Sequence, residues 1–213
     1  MNEKISALYN AIIKGDVVGT KDEVQAALEA GLEPCTILAD GMIAAMKEVG
    51  TRFEEGDCFV PEMLVAARAM QSGMAFLKPH LVQGEVKSSG RVVIGTVKGD
   101  LHDLGKNLVA LMLEGAGFEV KDLGVDVLPE KFVEAIVEGG ADIVAFSALL
   151  TTTMPNMKNA IEAIQKAGLR DKVKIIIGGA PVTQEYANQI GADGFSFDAS
   201  RAVSLAQSLL QGV

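Results

Sequence analysis

Arg91-Val92-Val93-Ile94-Gly95-Thr96-Val97-Lys98-Gly99-Asp100-Leu101-His102-Asp103-Leu104-Gly105-Lys106-Asn107 reads as strand, turn and helix in unbroken succession. The apolar run Val92–Ile94 has the continuous hydrophobicity of a parallel strand buried on both faces. Leu104, Leu108, Leu111 and Met112 recur at helical spacing after it. A strand-to-helix turn of this kind is where an open α/β sheet binds its ligand. This turn holds an Asp and a His two residues apart, so the question is what His102 does.

Downstream the alternation continues. Strands are expected at Arg91–Gly95, Phe118–Asp122, Ile143–Ser147, Lys174–Gly178 and Gly194–Ser196. Helices are expected near His102–Gly115, Pro129–Gly139, Pro155–Ala167, Thr183–Ile190 and Ala199–Leu210. Such a series predicts a flavodoxin- or Rossmann-like, doubly wound parallel sheet in the order 2-1-3-4-5. Upstream, residues 1–82 read as helix throughout. Apolar stripes on Ile5, Leu8 and Ile12, on Val24, Ala27 and Leu28, on Ile37 to Val49, and on Met63 to Leu77 are broken by Gly15-Asp16, Gly31 and Gly56-Asp57. Pro34 and Pro61 suit helix first turns. The expectation is an α/β protein: an N-terminal four-helix bundle over 1–82, a polar linker over 83–90, and the sheet domain over 91–213.

Composition narrows the function. The formal net charge is −9 over 213 residues, which argues against nucleic acid or an anionic membrane surface as partner. No apolar run approaches the ~20 residues of a membrane span, and the start lacks a signal-peptide pattern. The two cysteines, Cys35 and Cys58, lie in separate elements, so a cytoplasmic protein is expected rather than a disulfide scaffold or a zinc site.

Three chemically marked turns fall at carboxyl ends of expected strands: Asp100/His102/Gly105, Ser147 to Thr153, and Gly178-Gly179. In the 2-1-3-4-5 order they face one crevice. A carboxylate beside one imidazole nitrogen fixes the tautomer and makes the other nitrogen a better base or metal ligand. No nucleophile elbow and no second His at the site support a hydrolase, and one His does not supply a zinc site. A single axial ligand to a metal already held by a macrocycle needs only one His. Gly95, Gly99 and Gly105, with Gly178 and Gly179 opposite, allow backbone to lie close to a large ligand, although glycines also simply end strands. The GxGxxG dinucleotide pattern is absent.

Asp100-x-His102-x-x-Gly105, followed by Ser147-x-Leu149 and then Gly178-Gly179, resembles the signature of the cobalamin-binding domain of methionine synthase and its relatives. The helical half, including Gly56-Asp57-Cys58-Phe59-Val60-Pro61-Glu62, resembles that family's capping bundle. In size and layout the chain is most similar to the corrinoid proteins of methyltransferase systems. The resemblance implies a cobalamin carrier of a methyl group between a substrate-specific methyltransferase and a second methyltransferase, with tetrahydrofolate or coenzyme M as acceptor and a reductive activase as a further partner. Such a chain is a subunit and not a complete enzyme.

Residue by residue, the resemblance makes His102 the cobalt ligand, Asp100 its hydrogen-bond partner and Thr153 (with Thr151 as substitute) the third member of the relay. Gly105, Ser147, Leu149, Gly178 and Gly179 would line a slot for the nucleotide tail. Gly99, Asp103 and Leu104 would border the corrinoid. By spacing alone the Met-rich stripe is core; the resemblance implies that Met63, Leu64 and Met70 cover the methyl-bearing face. Alternative readings are a cobalamin-binding sensor, for which no DNA-reading segment is visible, a mutase cobalamin subunit, and a cofactor-free flavodoxin-like interaction domain.

Overall fold

A computed structural model describes residues 2–81 and 88–211. Of the expected linker 83–90, residues 83–87 lie outside the described residues, as does residue 82. The chain divides into two compact units. One takes Met1–Lys87 with Gly115–Gly117, and the other takes Ser88–Glu114 with Phe118–Val213.

The helical unit contains α1 (Glu3–Ile13), α2 (Val17–Glu29), α3 (Pro34–Thr36) continuing through a π segment (Ile37–Ile43) into α4 (Ala44–Glu55), and α5 (Val60–Leu77). Its boundaries follow local chemistry. Asp16 caps α2 by accepting the Gly19 N–H at 2.8 Å. Gly31 (φ 77°) and Gly56 (φ 81°) take the left-handed conformation that ends α2 and α4. At the start of α5, Glu62 reaches back to accept the Phe59 N–H at 2.8 Å. The π segment is not announced by residue spacing, which reads as one continuous helix from Pro34. Within it Gly41 lies against Leu8, where a Cβ would come within 3.0 Å of Leu8 Cδ2. Met63 and Met70 are buried and Leu64 is half-buried.

The second unit has β1 (Arg91–Thr96), β2 (Glu119–Asp122), β3 (Ile143–Ser147), β4 (Lys174–Gly178) and β5 (Gly194–Ser196). They form one parallel sheet in the order β2-β1-β3-β4-β5, as the alternation predicts. Its helices are α6 (Leu104–Gly115), α7 (Pro129–Gly139), α8 (Pro155–Lys166), α9 (Gln184–Ile190) and α10 (Ala199–Gln211). On one face, Val144, Phe146, Ile175 and Ile177 pack with Phe132 and Ile136 of α7 and Met157, Ile161 and Ile164 of α8. Phe132 meets Phe146 edge-on at 4.8 Å between ring centroids. Gly95 makes room for this: a Cβ there would lie 2.9 Å from Phe132 Cζ.

One boundary departs from expectation. Helix α6 opens at Leu104, so His102 stays in the turn. The backbone N–H of His102 donates to Asp100 Oδ1 at 3.0 Å, and its carbonyl accepts the Thr96 hydroxyl at 2.9 Å. Both main-chain groups are thereby drawn away from helical partners.

Candidate corrinoid site

The site is built around the buried side chain of Asp100, which lies between the ends of β1 and β3. Oδ1 accepts the His102 backbone N–H and pairs with His102 Nδ1 at 2.7 Å. Oδ2 accepts the Thr153 hydroxyl at 2.6 Å, the Leu149 N–H at 2.8 Å and the Leu150 N–H at 3.3 Å. Burial pushes the Asp100 carboxyl up. The Thr153 hydroxyl, the His102 amide and ring and the Leu149 amide outweigh it, and hold the carboxyl well below the usual carboxylate range. An ionised Asp100 only accepts, so His102 Nδ1 carries the proton of this bond, and in the neutral ring Nε2 is the nitrogen with the free lone pair. The imidazole is half exposed (51%), while its carboxylate partner is fully buried. One nitrogen is fixed and the other is presented.

The turn around this pair is tied from several sides. Buried Thr96 holds the His102 carbonyl. The Gly99 N–H donates to Asp126 Oδ1 at 2.6 Å, and Asn156 Nδ2 donates to the Lys98 carbonyl at 2.8 Å. Buried Lys106, in the first turn of α6, donates to Asp122 at the end of β2 and to Asn107 Oδ1. Thr96, Lys106, Asp122, Asp126 and Asn156 are all absent from the sequence-based site. Polar residues at strand ends are visible in the sequence, but nothing in their spacing pairs Asp126 with Gly99 or Asn156 with Lys98.

The structure joins Asp100, His102 and Thr153 directly. Thr151, by contrast, is exposed and stands outside the bonds that Asp100 accepts. Ser147 aligns with Thr96 and with Gly178 in the sheet register, and its carbonyl accepts the Val97 N–H. Gly179 (φ 136°) permits a close crossing of two loops: a Cβ there would stand 1.9 Å from the Ala148 oxygen. Gly178 is tight for a similar reason, with Ser196 O 3.2 Å from a built Cβ. Asp103 accepts the Asn107 N–H on its carbonyl and the Asn107 side-chain N–H on Oδ2. Leu101, Leu149, Leu150 and Phe197 are exposed on loops that leave the carboxyl ends of β1, β3 and β5, and Leu104, the first residue of α6, is exposed as well. They and His102 follow the carboxyl ends of strands in the same parallel sheet. Among the described residues, no three His, Cys, Asp or Glu side chains are grouped to hold a metal ion.

Two family models match, each described as a B12 binding domain, one over residues 90–204 and one over residues 5–78. The dimethylamine corrinoid protein of Methanosarcina barkeri is 47% identical over 212 residues, covering 98% of each chain. The chain belongs to the B12-binding corrinoid protein family. Trimethylamine corrinoid protein 1 of Methanosarcina acetivorans is 45% identical, with 98% of this chain and 97% of that one covered. Among solved structures, the methanol:cobalamin methyltransferase complex MtaBC from Methanosarcina barkeri matches with a TM-score of 0.90 at 31% identity, over 100% of this chain and 81% of that one.

The residues of this corrinoid protein fit the cofactor. A corrin ring brings most of its metal's ligands with it, so a single protein nitrogen would suffice, and His102 Nε2 would supply it. Gly105 gives an independent sign. It lies in helix α6 outside the left-handed region, and a Cβ there would meet nothing within 4 Å. Alanine would favour the helix by up to ~1 kcal/mol at no steric cost. The protein's own packing gives no reason for a glycine there, and the position leaves open space beside the turn that a bound ligand could use.

Proposed function

We propose that this chain is the corrinoid-carrying subunit of a methyltransferase system. It carries a methyl group between a substrate-specific methyltransferase and a second methyltransferase that passes it to tetrahydrofolate or to a thiol such as coenzyme M. The observation that carries this reading is the buried Asp100 carboxylate, which holds the half-exposed His102 ring by Nδ1 and leaves Nε2 to a ligand. When bound, the corrinoid supplies a cobalt centre that accepts a methyl group and gives it up.

The chain's own residues set the conditions for that chemistry. His102 would hold the metal through Nε2, while Asp100 keeps the Nδ1 proton in place. Thr153 donates to Asp100 and so fixes which carboxylate oxygen serves the imidazole. Gly105, Ser147, Leu149, Gly178 and Gly179 would line the slot for the nucleotide tail, with Gly99, Asp103 and Leu104 at its border.

The similarity to proteins named for dimethylamine and trimethylamine makes a methylated amine the first donor to test. A reductive activase is a further expected partner. Among the described residues no helix is long and apolar enough to cross a membrane. Neither cysteine forms a disulfide, which supports a cytoplasmic location.

The test is reconstitution with methylcobalamin, followed by the ultraviolet–visible spectrum and by electron paramagnetic resonance of the cobalt(II) form. Bound corrinoid with a nitrogen splitting that disappears in His102→Ala is the expected result. No bound corrinoid, or the same splitting in the variant, overturns the reading.

A further inference from the structure

Asp126 lies in the loop between β2 and α7, and among the described residues it is the one non-glycine residue with a left-handed backbone (φ 53°). A residue with a Cβ is disfavoured there, so some interaction must hold it. Two hydrogen bonds do. Its Oδ1 accepts the Gly99 N–H at 2.6 Å, and its own N–H donates to the Asp100 carbonyl at 3.0 Å. Gly99 is itself left-handed (φ 81°), which its missing side chain allows. The two bonds hold the Gly99 N–H, just before the Gly99-Asp100 link, and the Asp100 carbonyl, just after it, and so clamp the Gly99-Asp100 segment at both ends. That segment bears the carboxylate that fixes the His102 ring.

The neighbouring backbone extends the same grip. Thr96 N–H donates to the Gly124 carbonyl and Val127 N–H donates to the Thr96 carbonyl, both at 3.0 Å. The loop that leaves the sheet-edge strand β2 thus braces the β1–α6 turn along its length. Asp126 is exposed and takes no part in the buried apolar core of the sheet. A carboxylate at this place is better explained by the turn it orders than by packing.

We propose that Asp126 is a positioning residue for the corrinoid site: it orders the Gly99-Asp100 segment so that His102 is presented before the cofactor arrives. The inference rests on the reading of His102 as the axial ligand. Asp126→Gly removes the carboxylate while tolerating the left-handed backbone. Asp126→Asn keeps an acceptor oxygen and also tolerates that backbone.

Each variant is reconstituted with cobalamin, checked for native circular dichroism, and examined by electron paramagnetic resonance in the cobalt(II) form. In Asp126→Gly the ratio of histidine-ligated to unligated cofactor should fall about tenfold, as loss of ~1.4 kcal/mol of preorganisation requires. Asp126→Asn should restore most of the parent ratio, which a general loss of fold would not do. A parent-like ratio in Asp126→Gly overturns the proposal. If that variant does not fold, amide exchange in the cofactor-free parent decides: Gly99 N–H should exchange at least about tenfold more slowly than in an unstructured chain, and an unprotected amide overturns the proposal. Absence of a histidine nitrogen in the parent itself overturns the axial-ligand reading together with this one, whereas a parent-like Asp126→Gly overturns this one alone.

Discussion

Replacing Thr153 by Val tests the site at its most constrained hydrogen bond. The Thr153 side chain is buried, and its hydroxyl donates to the buried Asp100 carboxylate at 2.6 Å. Valine keeps the shape and deletes the donor. A hydrogen bond to an ionised group contributes ~1.5–3 kcal/mol, and Asp100 Oδ2 retains the Leu149 amide at 2.8 Å, so a loss of ~2 kcal/mol is expected near neutral pH. Thr153→Ser keeps the hydroxyl and loses one buried methyl, at a cost of about 0.8 kcal/mol. Asp100 has its folded pKa lowered relative to an unfolded value near ~3.9, so its contribution is fully present above that value and is lost as pH falls through the folded pKa. In the Val variant the folded pKa rises toward the unfolded one. The deficit against the parent should therefore be constant from pH 7 down to about 4 and shrink only in more acid solution. Urea unfolding followed by circular dichroism at pH 7 and at lower pH values measures this, provided the denaturant slope is unchanged. A Val variant within about 0.5 kcal/mol of the parent, or one less damaging than Ser, would refute the argument.

Four further perturbations separate ligand binding from folding. Gly105→Ala should leave stability unchanged or raise it by up to ~1 kcal/mol, yet weaken corrinoid binding in a spectrophotometric titration, since the space is open until a ligand occupies it. Gly179→Ala should behave oppositely, costing ~3 kcal/mol or more in thermal or urea unfolding, because its Cβ would fall 1.9 Å from Ala148 O at φ 136°. Asp122→Leu should destabilise toward the lower end of ~3–5 kcal/mol by stranding the buried Lys106 ammonium, whereas Lys106→Met should cost far less; equal losses in the two would contradict an ion-pair account. Asp100→Asn should still bind corrinoid but change the pH dependence of cobalt coordination, read from the visible spectrum, and superimposable titrations would show that the carboxylate does not act through His102.

The sheet order was legible because it depends on features that sequence carries directly. Apolar runs such as Val92–Ile94 and Ile175–Ile177 are buried on both faces and so lose their alternation, and parallel strands joined by helices admit few topologies. Asp100 and His102 stand out as a pair at a strand-to-helix turn and Thr153 follows from motif resemblance; the structure places His102 and Thr153 each within hydrogen-bond reach of Asp100. The braces were not legible. Asn156 reaches Lys98 across 58 positions of sequence and Asp126 reaches Gly99 across 27, pairings that exist only once the loops are brought together. The π segment at Ile37–Ile43 escaped for another reason: Leu38, Met42 and Met46 keep helical spacing, so the apolar stripe gives no sign of the widened turn.

The division between what is buried and what is presented explains why Asp100 rather than His102 is the centre of the design. An imidazole that must meet a large ligand has to remain accessible, and an accessible ring left to itself samples many rotamers. Packing it in place would close the approach. Here the fixed element is instead a carboxylate set below the surface, where Thr153 and the amides of Leu149 and Leu150 hold one oxygen and leave the other for the ring. Those donors belong to the segment after β3, while His102 belongs to the turn after β1, so the aim of the imidazole reports the registry of two neighbouring strands. A shift in either loop would alter the Asp100–His102 bond before it altered the sheet, which makes the ring the sensitive part of an otherwise rigid frame.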